Sequence, residues 1–401
     1  MRRRHFLQSM AAAAAVAAWP GAWMAFARGA VRPPVLVCVF QRGAMDGLMA
    51  VQPRAEGDLP RLRPRLVLDP AHAPALGIDH RLHPALAPLR AWFDRRELAV
   101  VHGVGSPDPT RSHFEAQDFM ETSTPGVKST TSGWLARTVA ALGGTPSPWR
   151  GLALTSARPR AFHGDTPTLS VADLAEFSLG DLPGAAVATR GFESLYARTT
   201  QELLHDTGHE SFDALRALDP ARVRAYRAAP EAAYPNTRLG LALRQMAMVV
   251  KEDVGLRVGF VESQGWDTHV NQGADQGAFA RSADELARSI HAFRTDLGEH
   301  ADRVVVCTMT EFGRTVHENG NAGTDHGRAS CFFVLGPRVH GGRVLGELPE
   351  LVRAELEAGR DLPVTTDFRA VFAALLRDHL GVSTVDTVLP GYAGGALPLF
   401  A

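Results

Sequence analysis

The feature that most narrows the choice of fold is a set of short, unbroken apolar runs separated by stretches with helical periodicity. Val35–Phe40 reads VLVCVF, with Pro34 before it and turn residues around Gly43 after it. A strand with one wet face alternates apolar and polar residues; a run with no polar positions is covered on both faces. Leu98–His102, Leu152–Thr155, Arg257–Val261, Val304–Thr310 and Phe332–Leu335 repeat the pattern. Between them, Phe279, Ala283, Leu286, Ile290, Phe293 and Leu297 are spaced alternately four and three apart, which predicts a helix over about 276–297 with one apolar stripe. Leu239, Leu243, Met246 and Val250 mark a second helix, and 368–380 a third. Strands alternating with helices imply an α/β fold built on a mostly parallel sheet covered on both faces.

In such sheets ligands bind beyond the carboxyl ends of the strands, so polar residues just after a strand are the candidates for chemistry. The first strand runs into Gly43-Ala44-Met45-Asp46-Gly47, where Asp46 either shapes a turn or binds a metal. The second runs into a loop that enters a helix near Ser112. A hydroxyl there sits beside free backbone N–H groups and the positive end of the helix dipole. It reads as an N-cap or as a nucleophile at an anion site. Thr110 is the neighbouring hydroxyl, and Arg111 has the geometry to clamp a phosphate or sulfate.

The strand ending at Val261 leads to Asp267 and His269, two apart, either a hydrogen-bonded pair or ligands of one metal. Imidazole with carboxylate suits Zn²⁺ or Mn²⁺ better than Ca²⁺. After Val304–Thr310 come Glu311-Phe312-Gly313-Arg314 and a Gly/Asn-rich loop that closes on Asp325-His326. His317 and His340 lie near enough in sequence to complete a ligand set. An early Asp, a hydroxyl at a helix start and two later Asp/His pairs are the inventory of a hydrolase that stabilises attacking and leaving oxygens with metal ions.

The amino terminus carries a different message. Arg3-Arg4-His5-Phe6-Leu7, an apolar stretch from Met10 to Phe26 and the small-x-small site Ala25-Phe26-Ala27 read as a twin-arginine signal peptide over residues 1–27. A membrane anchor needs about 20 unbroken apolar residues, and Pro20 and Gly21 interrupt this run. The expectation is a periplasmic or secreted protein exported by the twin-arginine machinery. Residues 28–401 would then form one domain, without a transmembrane segment and with a helical insertion around 184–252. A formal net charge of −1 gives no reason to expect nucleic acid as a partner. The three cysteines, Cys38, Cys307 and Cys331, all lie in apolar runs and read as core residues.

Taken together, Gly43–Leu48, Ser112-His113-Phe114, Gly265-Trp266-Asp267-Thr268-His269, Thr310–Thr315 and Asp325-His326 resemble the exported bacterial family called domain of unknown function 1501. The likeness runs from about Val35 to the end of the chain. That family is in turn similar to the alkaline phosphatase and sulfatase superfamily. The resemblance therefore implies a three-layer α/β sandwich with a bimetal site. Carried over by position, Asp46, Asp325 and His326 hold one metal and Asp267 and His269 the other. Ser112 or Thr110 is the implied nucleophile, and Arg111, His113 and Arg314 complete the implied catalytic set.

The departures matter too. Alkaline phosphatases place the Asp and His of one metal four apart rather than two, and carry a further late histidine, for which His340 and His379 are candidates. The residue two before Pro109-Thr110-Arg111 is Pro107, so no formylglycine forms and a standard sulfatase is disfavoured. Two functions follow as expectations. One is an exported metal-dependent hydrolase of phosphate, sulfate or related esters. The other is an exported binding or assembly protein that keeps the fold without the chemistry.

Overall fold

In the computed structural model, residues 32–55, 57–176 and 220–401 are described. Nine strands form one sheet within the unit Pro34–Ala401. They are β1 (Val35–Gln41), β2 (Leu98–Gly105), β3 (Gly151–Ala153), β4 (Leu169–Ser170), β5 (Val258–Ser263), β6 (Val304–Met309), β7 (Ser330–Leu335), β8 (Arg343–Leu345) and β9 (Thr366–Asp367). Their order is β8-β2-β7-β6-β1-β5-β3-β4, with β9 beside β2. Every pairing is parallel except the two made by β7, which runs antiparallel to β2 and β6.

β1 shows why the apolar runs have no polar positions. Val35, Val37 and Val39 pack into one core, while Leu36, Cys38 and Phe40 pack into another on the opposite face. The first face is covered by α3 (Arg238–Glu252) and α4 (Ala278–Asp296), through Leu239, Leu243 and Met246 and through Phe279, Leu286 and Phe293. The second is covered by α2 (Trp134–Ala141) and α5 (Phe368–Ala374), where Trp134 stacks on Phe372 with ring centroids 4.1 Å apart. The result is a three-layer α/β sandwich with a mostly parallel central sheet, as the run pattern predicts.

The helix over 276–297 forms as Ala278–Asp296, with its six stripe residues all buried. The segment over 368–380 is helical but changes pitch, passing from α5 into a π turn at Leu375–His379. The expected insertion around 184–252 lies outside the described residues up to 219. Its described end is not an appendage, because α3 is part of the layer packed on the sheet. All three cysteines are free and buried, with Cys38 and Cys307 register partners on adjacent strands. Among the described residues, no helix is long and apolar enough to cross a membrane.

The carboxyl ends of β1, β2, β5 and β6 lie along one edge of the sheet. Because β7 is antiparallel, it begins at that same edge. The loop 310–329 therefore leaves β6 and enters β7 without crossing the molecule, and its polar residues stay beside those that follow β1, β2 and β5.

Candidate metal centre

Three imidazoles and a carboxylate converge at this edge. His113 is the first residue of α1 (His113–Thr122), which follows β2. Asp267 and His269 follow β5, and His326 ends the loop before β7. His326 Nε2 lies 3.1 Å from His113 Nε2 and 2.9 Å from His269 Nε2. Asp267 Oδ1 is 3.0 Å from His269 Nε2 and 3.3 Å from His326 Nε2, and Oδ2 is 3.5 Å from His113 Nε2. Among the described residues, His113, Asp267 and His326 are the group able to hold a metal ion, with His269 on the flank shared by the last two.

The other ring nitrogens explain the convergence. His113 Nδ1 meets Glu311 Oε1 at 2.8 Å, His269 Nδ1 meets Asp325 Oδ1 at 3.0 Å, and His326 Nδ1 meets the Arg111 carbonyl at 2.9 Å. A carbonyl and an ionised carboxylate can only accept, so each Nδ1 carries a proton and each Nε2 is the atom turned inward, with a lone pair to offer whenever its ring is neutral. Facing lone pairs at about 3 Å repel unless a proton or a cation lies between them. Ligand atoms around a tetrahedral ion with bonds of about 2 Å stand roughly 3.3 Å apart, which the observed spacings bracket. Histidines oriented by a carboxylate or carbonyl on the far nitrogen are the usual support of metal ligands. The residues present thus fit a divalent cation.

Glu311 is fully buried and also accepts from Gln117 Nε2 at 2.8 Å and Gly43 N at 2.9 Å. Burial pushes its carboxyl up, but the His113 and Gln117 hydrogen bonds outweigh this and hold it below the usual range. The same hydrogen bond to Glu311 raises the pKa of His113, whereas burial lowers that of His326. For Asp267, burial is outweighed by the hydrogen bond and charge of Arg314, which keep the carboxylate ionised. Asp325 is lowered by its hydrogen bond from Asn319 and then by His269. Phe312 lies against both His113 and His326, with centroids 4.9 and 5.0 Å away. Gly43 is needed for close approach: its φ is +113°, and a Cβ there would stand 2.6 Å from Asp267 N.

Several sequence expectations are corrected. Asp46 is not at the centre but in a buried ion pair with Arg63, at 2.9 and 3.1 Å. Its oxygens also accept from Met49 N at 3.2 Å and Gln272 Nε2 at 2.8 Å, so each carries two donors and none is left to ligate. Asp325 orients His269 through Nδ1 instead of joining His326 on a metal. Of the residues assigned to two ions, only His326, Asp267 and His269 meet, in one cluster, joined by His113, which the resemblance placed in the catalytic set. Arg314 is fully buried, with Nη1 on Asp267 Oδ1 at 2.6 Å, Nε on Thr324 Oγ1 at 3.1 Å and Nη2 on the Thr324 carbonyl. Its burial leaves it to position Asp267 and not to meet a substrate.

Thr110 Oγ1 donates to Glu115 at 2.8 Å and accepts from Ser112 N at 3.3 Å. Ser112 is exposed at the start of α1, and its hydroxyl makes no cap hydrogen bond. Arg111 reaches the buried Asp361 at 2.5 Å. Neither His317 nor His340 joins the cluster, and His379 bonds the Val35 carbonyl at the opposite end of β1. The sequence signal for Glu311 is its place immediately after a buried strand, the same test that points to Asp267.

Searched against solved structures, the fold is similar to the C-terminal periplasmic domain of EcEptC from Escherichia coli, in complex with Zn. The identity is 10%, the TM-score 0.38, and the match covers 77% of this chain and 74% of that one. It is also similar to the lipoteichoic acid synthase LtaP from Listeria monocytogenes, at 10% identity and TM-score 0.36, over 91% and 76% of the two chains. The phosphonate monoester hydrolase of Agrobacterium radiobacter matches at 11% identity and TM-score 0.33, over 91% and 79%. At such scores the likeness carries no argument about this chain's chemistry. No curated protein matches the sequence. The model of one family does match, over residues 95–390, and the chain belongs to that family, described as protein of unknown function (DUF1501).

Proposed function

We propose that the protein is an exported, metal-dependent hydrolase of phosphate, sulfate or related esters, working through one divalent ion held by His113, Asp267 and His326, with His269 beside them. The observation that carries this reading is the set of three Nε2 atoms turned inward, each fixed by an acceptor on its Nδ1. Three nitrogens and one carboxylate favour Zn²⁺ first and Mn²⁺ second. Such an ion supplies Lewis-acid polarisation of an ester oxygen and eases deprotonation of a nearby hydroxyl or water.

The chain's own residues supply the rest. Ser112 immediately precedes His113 and leaves its hydroxyl uncommitted, so it is the candidate nucleophile. Its oxygen would attack phosphorus or sulfur as the alcohol departs with a proton; water then splits the new ester and restores the serine. Thr110 is committed to Glu115 and serves the loop. Arg111 would hold the anionic group, and Arg314 would keep Asp267 ionised and aimed. Export is supported by Arg3-Arg4 and the Ala25-Phe26-Ala27 site.

The test is turnover of p-nitrophenyl phosphate and p-nitrophenyl sulfate by metal-loaded protein. Hydrolysis of either ester, abolished by chelator and by His326→Ala and strongly reduced by Ser112→Ala, is expected. Metal-loaded protein that cleaves neither would leave the binding or assembly role.

A further inference from the structure

Asp361 is fully buried, and its two oxygens are shared between two arginines. Arg111 Nη2 donates to Oδ2 at 2.5 Å, and Arg360 Nε donates to Oδ1 at 3.0 Å. One carboxylate between two guanidiniums leaves a positive charge uncompensated. Both side chains reach solvent, at 34% and 44% exposure. The charge sits beside the centre: Arg360 Nη2 donates to the His326 carbonyl, and His326 Nδ1 donates to the Arg111 carbonyl.

Asp361 does not use all the donors of Arg111. Arg111 Nε is buried and has no hydrogen-bond partner among the described residues. The neighbouring cations cannot share this role. Arg314 is committed to Asp267 and Thr324, and Arg328 to Glu357 and the Asp108 carbonyl. The two exposed acids here are engaged elsewhere, Asp325 with His269 and Asn319 and Asp267 with Arg314.

We propose that Arg360 joins Arg111 in a two-guanidinium clamp for a terminal phosphate dianion beside His326. This rests on the hydrolase reading for the reaction, though not for the binding, and it names the substrate class as phosphate monoesters. A guanidinium recognises a pair of phosphate oxygens through parallel N–H donors. A monoester presents three terminal oxygens and up to two charges to such a clamp. A diester or a sulfate ester brings one charge and uses the second arginine poorly.

The test is calorimetric titration of inorganic phosphate into the full-length mature protein, metal-loaded and metal-free, beside Arg360→Gln and Arg360→Lys. Arg360→Gln is expected to weaken phosphate binding about tenfold or more with metal content unchanged, and Arg360→Lys to restore part of it. If Arg360→Gln also sheds its metal, the metal-free titrations decide, and the same loss is expected there. Metal-loaded wild type that binds phosphate no better than Arg360→Gln overturns the clamp and leaves the hydrolase reading standing. Wild type that takes up no metal but binds phosphate through Arg360 does the reverse. No phosphate binding in either state overturns the clamp.

Discussion

Two carboxylates follow neighbouring parallel strands at the same edge of the sheet, Asp46 after β1 and Asp267 after β5, and they have opposite fates. Asp46 is fully buried with four donors on its two oxygens, two of them from Arg63. Asp267 is half exposed and held by Arg314 on one oxygen, while three imidazole nitrogens lie within 3.5 Å of its carboxylate. The first region is closed, because every charge has its partner within the protein. The second is open, because its inward-turned ring nitrogens face one another. A ligand-type residue is therefore recognised by what its neighbours leave unsatisfied, not by its type or its place after a strand.

The two regions are also wired together. Gln272 donates to Asp46 and accepts from the hydroxyls of Thr268 and Thr324, at 2.8 and 2.7 Å. Thr324 in turn holds Arg314, which holds Asp267. Arg63 adds bonds to the carbonyls of Thr315 and Val316, fixing the loop just beyond Arg314. The closed pair thus acts as the foundation of the open centre.

The largest expected effect breaks the closed region. Arg63→Ala leaves a buried carboxylate without its counter-charge, and should cost about 3–5 kcal/mol in denaturant unfolding. A loss below about 1 kcal/mol would mean that the pair is solvated and the contrast false. Next is the open region's dependence on its cation. A metal at a hundredfold excess over its Kd should stabilise the fold by about 2.7 kcal/mol. Chelator should then lower the melting temperature of wild type but leave that of His326→Ala unmoved; equal shifts in both would place the metal elsewhere.

Smaller again is the support behind one ligand. Glu311→Gln removes the charged acceptor on His113 Nδ1 and should weaken metal binding about 10- to 100-fold, measured by competition with a chromophoric chelator. Unchanged affinity would remove His113 from the ligand set. The smallest effect probes the wiring. Thr324→Val cuts the link from Gln272 to Arg314 and should cost about 1 kcal/mol of stability, with metal still bound.

Much of the scaffold is legible in the sequence because burial on both faces writes itself into local composition. VLVCVF, VVVCTM and the stripe from Phe279 to Leu297 can be read without knowing what they touch. The strand-end rule likewise leads to Asp267, His269 and His326, and the family resemblance adds His113. What local sequence does not contain is pairing across the chain. Arg63 stands 17 residues from Asp46 in an unremarkable loop and removes it from the ligand set. Glu311 is 198 residues from the imidazole it orients, and Asp361 is 250 residues from Arg111. A hydroxyl at a helix start, as at Ser112, has an obvious role in the sequence, whereas a ring at the first helical position, as at His113, acquires one only when His326 faces it.

The central claim is that the converging imidazoles are a metal centre, and metal content tests it most directly. Elemental analysis of mature protein purified without chelator, beside His113→Ala/His326→Ala, should find one equivalent of Zn or Mn in wild type and none in the double variant. No metal in wild type after reconstitution with either ion, or equal content in both proteins, would contradict it.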